Sequence, residues 1–341
     1  MPIHFAFKNR RISFLAPVLL CALSGHVNAD TSESEATCGT GDFKTFFHRF
    51  ATDSVLQQAS IATPLTLQTL ENGSALKIKL EKLNEKQRPI VLLPSPDQWA
   101  QLGLIFEWLP PATVVLRGQQ GEYLRTYVFK RRSCWMLSRE EDWALGGSKL
   151  STDSSLKMDA ESCLRRAKAY ELSTSFAQHT PARALFAASL DSYLCAAGAG
   201  SLEASYTAAS LSLSGQAPRL KNDRIEMLFT AAAEQLPEAA LTLANFYCDQ
   251  GDYTQQQPCL RPKKAEQAMI KSARLGSTDA LNQLGRAFEI GSLGTQDTQR
   301  ALACYQAAAS KGLQLAEKNA KRLSEQGVRN EQNISCLSAG R

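Results

Sequence analysis

The chain has 341 residues, nine of them cysteine, and a formal net charge of +5. Lys8, Arg10 and Arg11 supply three of these charges near the N-terminus, and the remainder of the chain is nearly balanced at +2. A balanced surface lacks the basic stripe of nucleic-acid-binding proteins, and the cysteines form no close CxxC or Cys–His cluster. These features argue against nucleic-acid binding and against a zinc site.

Residues 1–29 have the three parts of a secretory signal peptide. A basic start precedes an apolar run at residues 12–23, and the segment closes on the small-residue exit Val27-Asn28-Ala29. The apolar run is too short for a membrane-spanning helix, which needs about 20 residues. Leu20 before Cys21 argues against a lipid anchor. We therefore expect cleavage after Ala29, no membrane span, and a periplasmic or secreted protein.

Residues 36–145 are predicted to form a small α+β domain. Apolar residues recur at helical spacing over residues 41–65, which predicts one amphipathic helix that ends near Pro64. Short β-like runs follow at Ala75–Leu80, Ile90–Leu93, Thr113–Leu116, Tyr123–Lys130 and Cys134–Ser138. The last two runs flank a polar turn and predict a hairpin. A helix followed by an antiparallel sheet is therefore expected.

A glycine- and serine-rich stretch at residues 146–155 is typical of a linker between two domains. Asp153 or the final serine of this stretch is a candidate cap for the next helix. Beyond it, alanine and leucine dominate and β-branched residues become rare. We expect a helical domain at residues 156–327 and a polar C-terminal tail at residues 328–341.

The helical domain contains an internal repeat. The skeleton of residues 300–312, with a basic residue and alanine, a later alanine pair and a glycine, returns around residues 264–276, 224–236 and 193–200. A first helix precedes each of the last three copies, and in the best of them it reads Ala280, Leu284, Gly285, Phe288 and Gly291. Spacings of three and four place these residues on one helical face. The unit is therefore a helix, a turn and a second helix.

This pattern resembles the Sel1-like repeat family, relatives of the tetratricopeptide repeats. Residues 280–312 match nearly all of that family's unit, although Cys304 stands where the family usually has tryptophan, and Leu236 and Ser212 also depart from it. The resemblance implies a two-domain protein, with a small N-terminal α+β domain followed by an all-α helical-repeat solenoid. The N-terminal segment more loosely resembles an uncharacterised domain of bacterial exported proteins with the cone-like nuclear transport factor fold.

Removal of Cys21 with the leader leaves eight cysteines, an even number in a compartment where disulfides persist. Sequence alone does not fix their connectivity, but chain position favours Cys38–Cys134, Cys163–Cys195, Cys248–Cys259 and Cys304–Cys336. The third pair would close the insert at residues 252–262. The fourth would tie the tail to the last helix.

In stacked helix pairs the first helix of each unit lines the inner face. Carried over from the resemblance, the groove positions are Tyr206, Ser210, Leu241, Asn245, Asn282, Arg286 and Glu289. Their mixture of aromatic, amide and charged groups suits recognition of a protein or peptide, and the alternative is ordinary surface polarity.

The resemblance implies a non-enzymatic exported protein–protein interaction module. Such proteins act as envelope assembly adaptors, as secreted host-interaction factors, or as periplasmic immunity proteins that neutralise a toxic effector such as a phospholipase. The immunity role is the sharpest form of this hypothesis, because a rigid, disulfide-braced groove is what stoichiometric inhibition requires.

A cell-envelope enzyme with its site in the α+β domain is the alternative hypothesis. Its candidates are His48, which is expected to face solvent, Asp53 and Glu140. The acidic run Glu140–Asp142 is expected on a surface loop, and His179 is expected to be exposed or to cap a helix. The sequence has no phosphate-binding loop, nucleophile elbow or HExxH helix. We therefore expect no catalytic residue, no metal and no cofactor.

Overall fold

The computed structural model describes residues 41–72, 76–87, 93–148, 159–252, 259–294, 296–329 and 334–338. The predicted signal peptide, Cys38 and residues 149–155 of the predicted linker, Asp153 among them, lie outside the described residues. Residues 90–92 of one predicted strand also lie outside them.

The single helix predicted over residues 41–65 is instead two helices and the start of a strand. Helix α1 spans Phe43–Thr52 and α2 spans Ser54–Ala59. Asp53 separates them, because its extended backbone ends α1 while its carboxylate accepts hydrogen bonds from the first backbone N–H groups of α2. The helical spacing was correct up to this cap. Pro64 lies inside the first strand rather than at a helix end.

A six-stranded sheet follows, and one further helix, α3, spans Pro96–Gln101. The strands are β1 (Ile61–Asn72), β2 (Leu76–Leu83), β3 (Leu104–Leu109), β4 (Thr113–Gly118), β5 (Leu124–Arg131) and β6 (Trp135–Asp142). Their order across the sheet is β2-β1-β6-β5-β4-β3. The predicted β5–β6 hairpin is confirmed. The sheet is mixed rather than antiparallel, because β1 and β6 pair as parallel neighbours.

Helices cover both faces of this sheet. On one face, Phe47 and Phe50 of α1 are fully buried and pack against Phe129 and its neighbours. On the other face, Trp143 and the sheet residues around it share a buried cluster with Tyr170 of the helical region. The sheet is therefore the middle layer of three, and its second face is packed directly against the helical region.

Nine helices form the described part of the helical region. They are α4 (Ala160–Ser173), α5 (Ala182–Gly198), α6 (Leu202–Leu213), α7 (Asn222–Ala232), α8 (Pro237–Asp249), α9 (Pro262–Arg274), α10 (Thr278–Ile290), α11 (Thr298–Ala309) and α12 (Gln314–Glu325). Helix α4 is capped by Asp159, whose carboxylate accepts from the Ser162 N–H. The predicted helix, turn and helix unit is confirmed, with α4, α6, α8 and α10 as first helices and α5, α7, α9 and α11 as second helices.

Small residues set the distance between paired helices. Gly285 of α10 lies so close to Tyr305 of α11 that an added Cβ would fall 2.7 Å from the tyrosine ring. Gly291 ends α10 with φ of 72°, a left-handed conformation that favours glycine. The repeat pattern thus encodes both the close helix contact and the turn that follows it.

Three predicted disulfides are confirmed: Cys163–Cys195, Cys248–Cys259 and Cys304–Cys336. The pairing of Cys134 with Cys38 stays a prediction, since Cys38 lies outside the described residues. Arg300 of α11 reinforces the bridge to the tail, because its guanidinium donates to the backbone carbonyls of Cys336 and Ser338. The C-terminal segment is therefore held against α11 by both covalent and polar contacts.

Candidate protein-binding surface

The seven predicted groove residues lie on the first helices of three successive units. Two positions recur, two and six residues after a fully buried alanine; they are held by Tyr206 and Ser210 in α6, Leu241 and Asn245 in α8, and Asn282 and Arg286 in α10. Positions four residues apart lie on the same side of a helix. Glu289 lies almost one turn beyond Arg286 in α10. The three helices therefore carry these residues in equivalent places.

The predicted groove residues differ in the exposure of their side chains. Asn245 and Arg286 are exposed, whereas Tyr206 and Leu241 are half-buried and pack against the helical core. Ser210 is half-buried, and its hydroxyl has no hydrogen-bond partner among the described residues. Asn245 and Arg286 are therefore the two predicted positions with side chains most accessible to a partner.

Glu289 and Asn282 already have partners within the stack. The Glu289 carboxylate accepts a hydrogen bond of 2.8 Å from the Tyr305 hydroxyl and pairs with the Arg322 guanidinium at 2.7 Å. These contacts, led by the hydrogen bond from Arg322, lower the pKa of Glu289 below its usual range. Asn282 accepts from the Asn319 amide at 3.4 Å. Both residues thus connect α10 to its neighbouring helices.

Ion pairs link the second helices in a similar way. Glu226 of α7 accepts from Lys264 of α9 at 3.0 Å and from Arg261, just before α9, at 2.6 Å. Arg300 of α11 pairs with Glu266 of α9 at 2.8 Å, and both side chains are largely buried. Pairs of this burial hold their geometry better than exposed pairs do. The stack is therefore braced along both of its helix layers.

The acidic run of the sheet region is buried, so its predicted place on a surface loop is wrong. Glu140, Glu141 and Asp142 are 3%, 0% and 5% exposed and form the end of β6. The strand runs four residues beyond Ser138, so it is longer than predicted. Three buried carboxylates require nearby cations and hydrogen-bond donors.

Glu141 receives those donors from both regions of the chain. Arg139 and Trp143 of the sheet region donate to it at 2.7 and 3.2 Å. The Thr180 hydroxyl, from the segment before α5, donates at 2.8 Å, and the His179 Nδ1 lies 2.9 Å away. His179 is therefore half-buried in this junction rather than exposed or capping a helix, as the sequence had led us to expect.

Glu140 and Asp142 lie on the opposite side of β6 from Glu141 and share one cation. The Arg125 guanidinium lies 3.0 Å from Glu140 and 3.1 Å from Asp142. Burial raises the pKa of Glu140, and Arg125 opposes that rise. Close by, the Tyr123 and Tyr127 hydroxyls form a buried hydrogen bond of 3.0 Å, and burial raises the pKa of Tyr123 to about 12. This cluster is a satisfied polar core.

The enzyme candidates are not assembled into one site. His48 is exposed on α1, Asp53 caps α2, and Glu140 is buried against Arg125. No hydrogen bond or ion pair joins any two of these three side chains in the described structure. General acid–base catalysis would need such proximity. Within the described residues, no group of three or more His, Cys, Asp or Glu side chains has metal-binding geometry.

One cleft lies where the sheet meets the helices. It has a volume of about 360 Å³ and is lined by Ile105, Glu107 and Arg117 of the sheet, by Arg183 of α5 and by the α6–α7 loop at residues 215–218. Sequence reasoning missed it because β3 was not recognised as a strand. The described part of the chain has no helix long and apolar enough to cross a bilayer.

Comparison with known structures finds proteins that are similar to the helical half of the chain. Over 51% of its length, the chain is similar to a protective antigen of uropathogenic Escherichia coli that displays an SLR fold, with 20% identity and a TM-score of 0.41. Also over 51% of its length, it is similar to a Sel1 repeat protein from Oxalobacter formigenes, with 21% identity and a TM-score of 0.38. The likeness is to Sel1-repeat proteins. The chain spans 35% of the first protein's length and 66% of the second's.

These TM-scores are low, so the helix pairs are described from their own packing. The main features are the close contact of Gly285 with Tyr305 and the buried alanines. An NTF2-like protein from Bacteroides fragilis is also similar, over 31% of this chain and 48% of its own length, with 22% identity and a TM-score of 0.21. No protein-family profile matches the chain, and a search of curated proteins finds no match.

Proposed function

We propose that this protein is a non-enzymatic, exported binding protein that engages a protein partner through the first helices of its Sel1-like pairs. The observation that carries the proposal is the pair Asn245 and Arg286, polar and exposed at equivalent positions on successive first helices, while the buried alanines beside them make the packing contacts. A repeated polar position on a braced stack is the arrangement that binding to an extended surface needs.

Rigidity supports an inhibitory role for the binding. Three disulfides and the buried Arg300–Glu266 pair restrain the stack before any partner arrives. A pre-organised surface loses less conformational entropy on association and so binds more tightly for the same contacts. The disulfides also favour an oxidising, extracytoplasmic location. The specific role we propose is that of a periplasmic immunity protein that neutralises a toxic effector, for example a phospholipase.

Titration of an effector tests this role. We expect a phospholipase or other toxin gene to lie beside the gene for this protein, and we expect the purified chain to abolish that effector's activity at a one-to-one ratio. Alanine at both Asn245 and Arg286 should shift the titration to higher concentrations. The matched control is alanine at both Gln267 and Arg224, an amide and an arginine exposed on second helices. These substitutions should not shift the titration.

Two results count against the immunity role. One is the absence of any adjacent toxin gene, combined with a deletion strain that is no more sensitive to its siblings than the parent. The other is a purified effector that keeps full activity in the presence of excess protein.

A further inference from the structure

The two edges of the sheet differ in how they are protected. Strand β2, at one edge, carries Lys77, Lys79 and Lys82 among its eight residues. Lysines on an edge strand discourage pairing with other chains. Strand β3, at the other edge, reads Leu-Ile-Phe-Glu-Trp-Leu and has a single charged residue, Glu107. The β3 edge therefore lacks the protection that the β2 edge has.

The backbone of β3 is free to pair on its outer side. In an antiparallel pair, alternate residues of a strand direct their N–H and C=O groups toward the neighbour, and the others direct them outward. Strand β3 pairs with β4 through residues 104–109. Among the described residues, no other backbone hydrogen bond involves this strand. About half of its backbone groups are thus available to an incoming strand.

A cleft suited to side chains lies next to this edge. Ile105, which is 42% exposed, and Val115 form its sheet wall, while Ala184, Ala187 and the α6–α7 loop form the wall opposite. The volume of about 360 Å³ is at the lower end of the range for ligand pockets. It has room for a few side chains of one extended segment, and its walls are mostly apolar and small.

Both arginines of the cleft already have a carboxylate partner. Arg117 pairs with Asp191 of α5, and Arg183 pairs with Glu107. An occupant whose inward side chains were charged would have to break one of these pairs or leave its own charge unpaired. The complementary occupant is therefore an uncharged segment.

We propose that the β3 edge is a second binding surface, separate from the helical positions above, which accepts an extended, uncharged segment of a partner protein as an added strand. Backbone hydrogen bonds to β3 supply affinity, and small or medium apolar side chains at alternate positions enter the cleft. This proposal does not depend on the identity of the helical partner, so either proposal can fail without the other.

A second copy of this chain is the less favourable occupant. Symmetric antiparallel pairing of two β3 strands, centred on Phe106, Glu107 or Trp108, would place the two Glu107 side chains opposite or diagonal to each other on one face. Like charges in such cross-strand positions are destabilising. A partner segment without charges avoids this cost.

A synthetic peptide tests the proposal on the full mature chain. The probe is a ten-residue peptide of alternating valine and threonine, with capped termini and a fluorescent label. Every second backbone nitrogen is methylated, so only one edge of the peptide can form backbone hydrogen bonds. Ile105→Lys places a charge in the cleft mouth. Leu80→Lys makes the same kind of change at an exposed leucine on the protected edge, and circular dichroism confirms that both variants fold.

We expect the probe to bind the wild-type chain, Ile105→Lys to weaken binding by about tenfold or more, and Leu80→Lys to leave it within about twofold. Hydrogen exchange should slow at the amides of β3 in the complex. The proposal is overturned if the probe does not bind, or if both variants weaken it equally. It is also overturned if sedimentation detects a dimer that Ile105→Lys dissociates, since a second copy would then occupy this edge.

Discussion

Glu141 shows how one side chain can join two regions of a chain. Its carboxylate is fully buried and accepts hydrogen bonds from Arg139 and Trp143 on one side and from Thr180 on the other. A second contact crosses the same boundary, since the Thr126 and Thr180 hydroxyls lie 2.6 Å apart. This carboxylate is therefore one of the polar groups that hold the helical region against the sheet.

Glu141→Gln should destabilise the protein by about 3 kcal/mol, because the Arg139 guanidinium loses its countercharge and a donor replaces one acceptor oxygen. The change in free energy of unfolding is measured by urea denaturation. Glu81→Gln is the control: Glu81 pairs with Lys79, both of them exposed, and its loss should cost less than about 1 kcal/mol. Equal effects of the two substitutions would contradict the role given to Glu141.

Little in the sequence indicated that this junction would form. A run of three acids is usually a solvated loop, and the burial of this one depends on Arg125 and Thr180, which come from other parts of the chain. The usable local signal was that no glycine or proline interrupts the chain between Trp135 and Asp142. Contacts between distant segments cannot be predicted from spacing alone.

Helix pairs pack at the distance that Gly285 permits. Gly285→Ala should destabilise the protein by about 1 to 3 kcal/mol, since the new methyl group would overlap the Tyr305 ring. Alanine is the better helix former by about 1 kcal/mol, so propensity alone predicts the opposite sign. Thermal unfolding of Gly198→Ala provides the control, because no atom lies within 4 Å of the position of its Cβ. Stabilisation by both substitutions would refute the packing argument.

The link between α10 and α12 should weaken in acid. The pKa of Glu289 is lower in the folded chain than the ordinary 4.5. The stabilisation by its carboxylate is therefore complete above pH 4.5 and is lost as the pH falls through the pKa of the folded state. The stability difference between the wild type and Glu289→Gln should therefore shrink below about pH 4.5. Glu317→Gln, at an exposed glutamate of α12, is the control substitution. A difference that stayed constant to pH 3 would contradict this assignment.

Elements with strong periodicity were predictable, and those decided by distant partners were not. The helices of the repeat units follow from alanine, aromatic and glycine spacing, and the structure confirms them. Strands β1 and β3 were missed: β1 continues the apolar pattern of α2, and β3 is apolar at five of its six positions. Neither segment shows a long, strict alternation, and short apolar runs cannot be assigned to strand or helix from periodicity alone.

At the scale of the whole molecule, the disulfides differ in the length of the loops that they close. Cys304–Cys336 closes 32 residues and Cys248–Cys259 closes 11. Because loop-closure entropy grows with loop length, removing the first bridge by paired alanine substitutions should cost about 1 kcal/mol more than removing the second. Urea unfolding of the two double variants measures this difference. The reverse order would contradict this chain-entropy explanation.

Site-specific photo-crosslinking in living cells tests the central claim, that the first helices of the repeat units bind a protein partner. A photoreactive amino acid is placed at Asn245 or Arg286, and at Gln267 or Arg224 on the second helices as controls. We expect one discrete crosslinked partner from the first pair of positions and none from the second. Crosslinks that are absent at Asn245 and Arg286, or equally abundant at the control positions, would contradict the proposed binding surface.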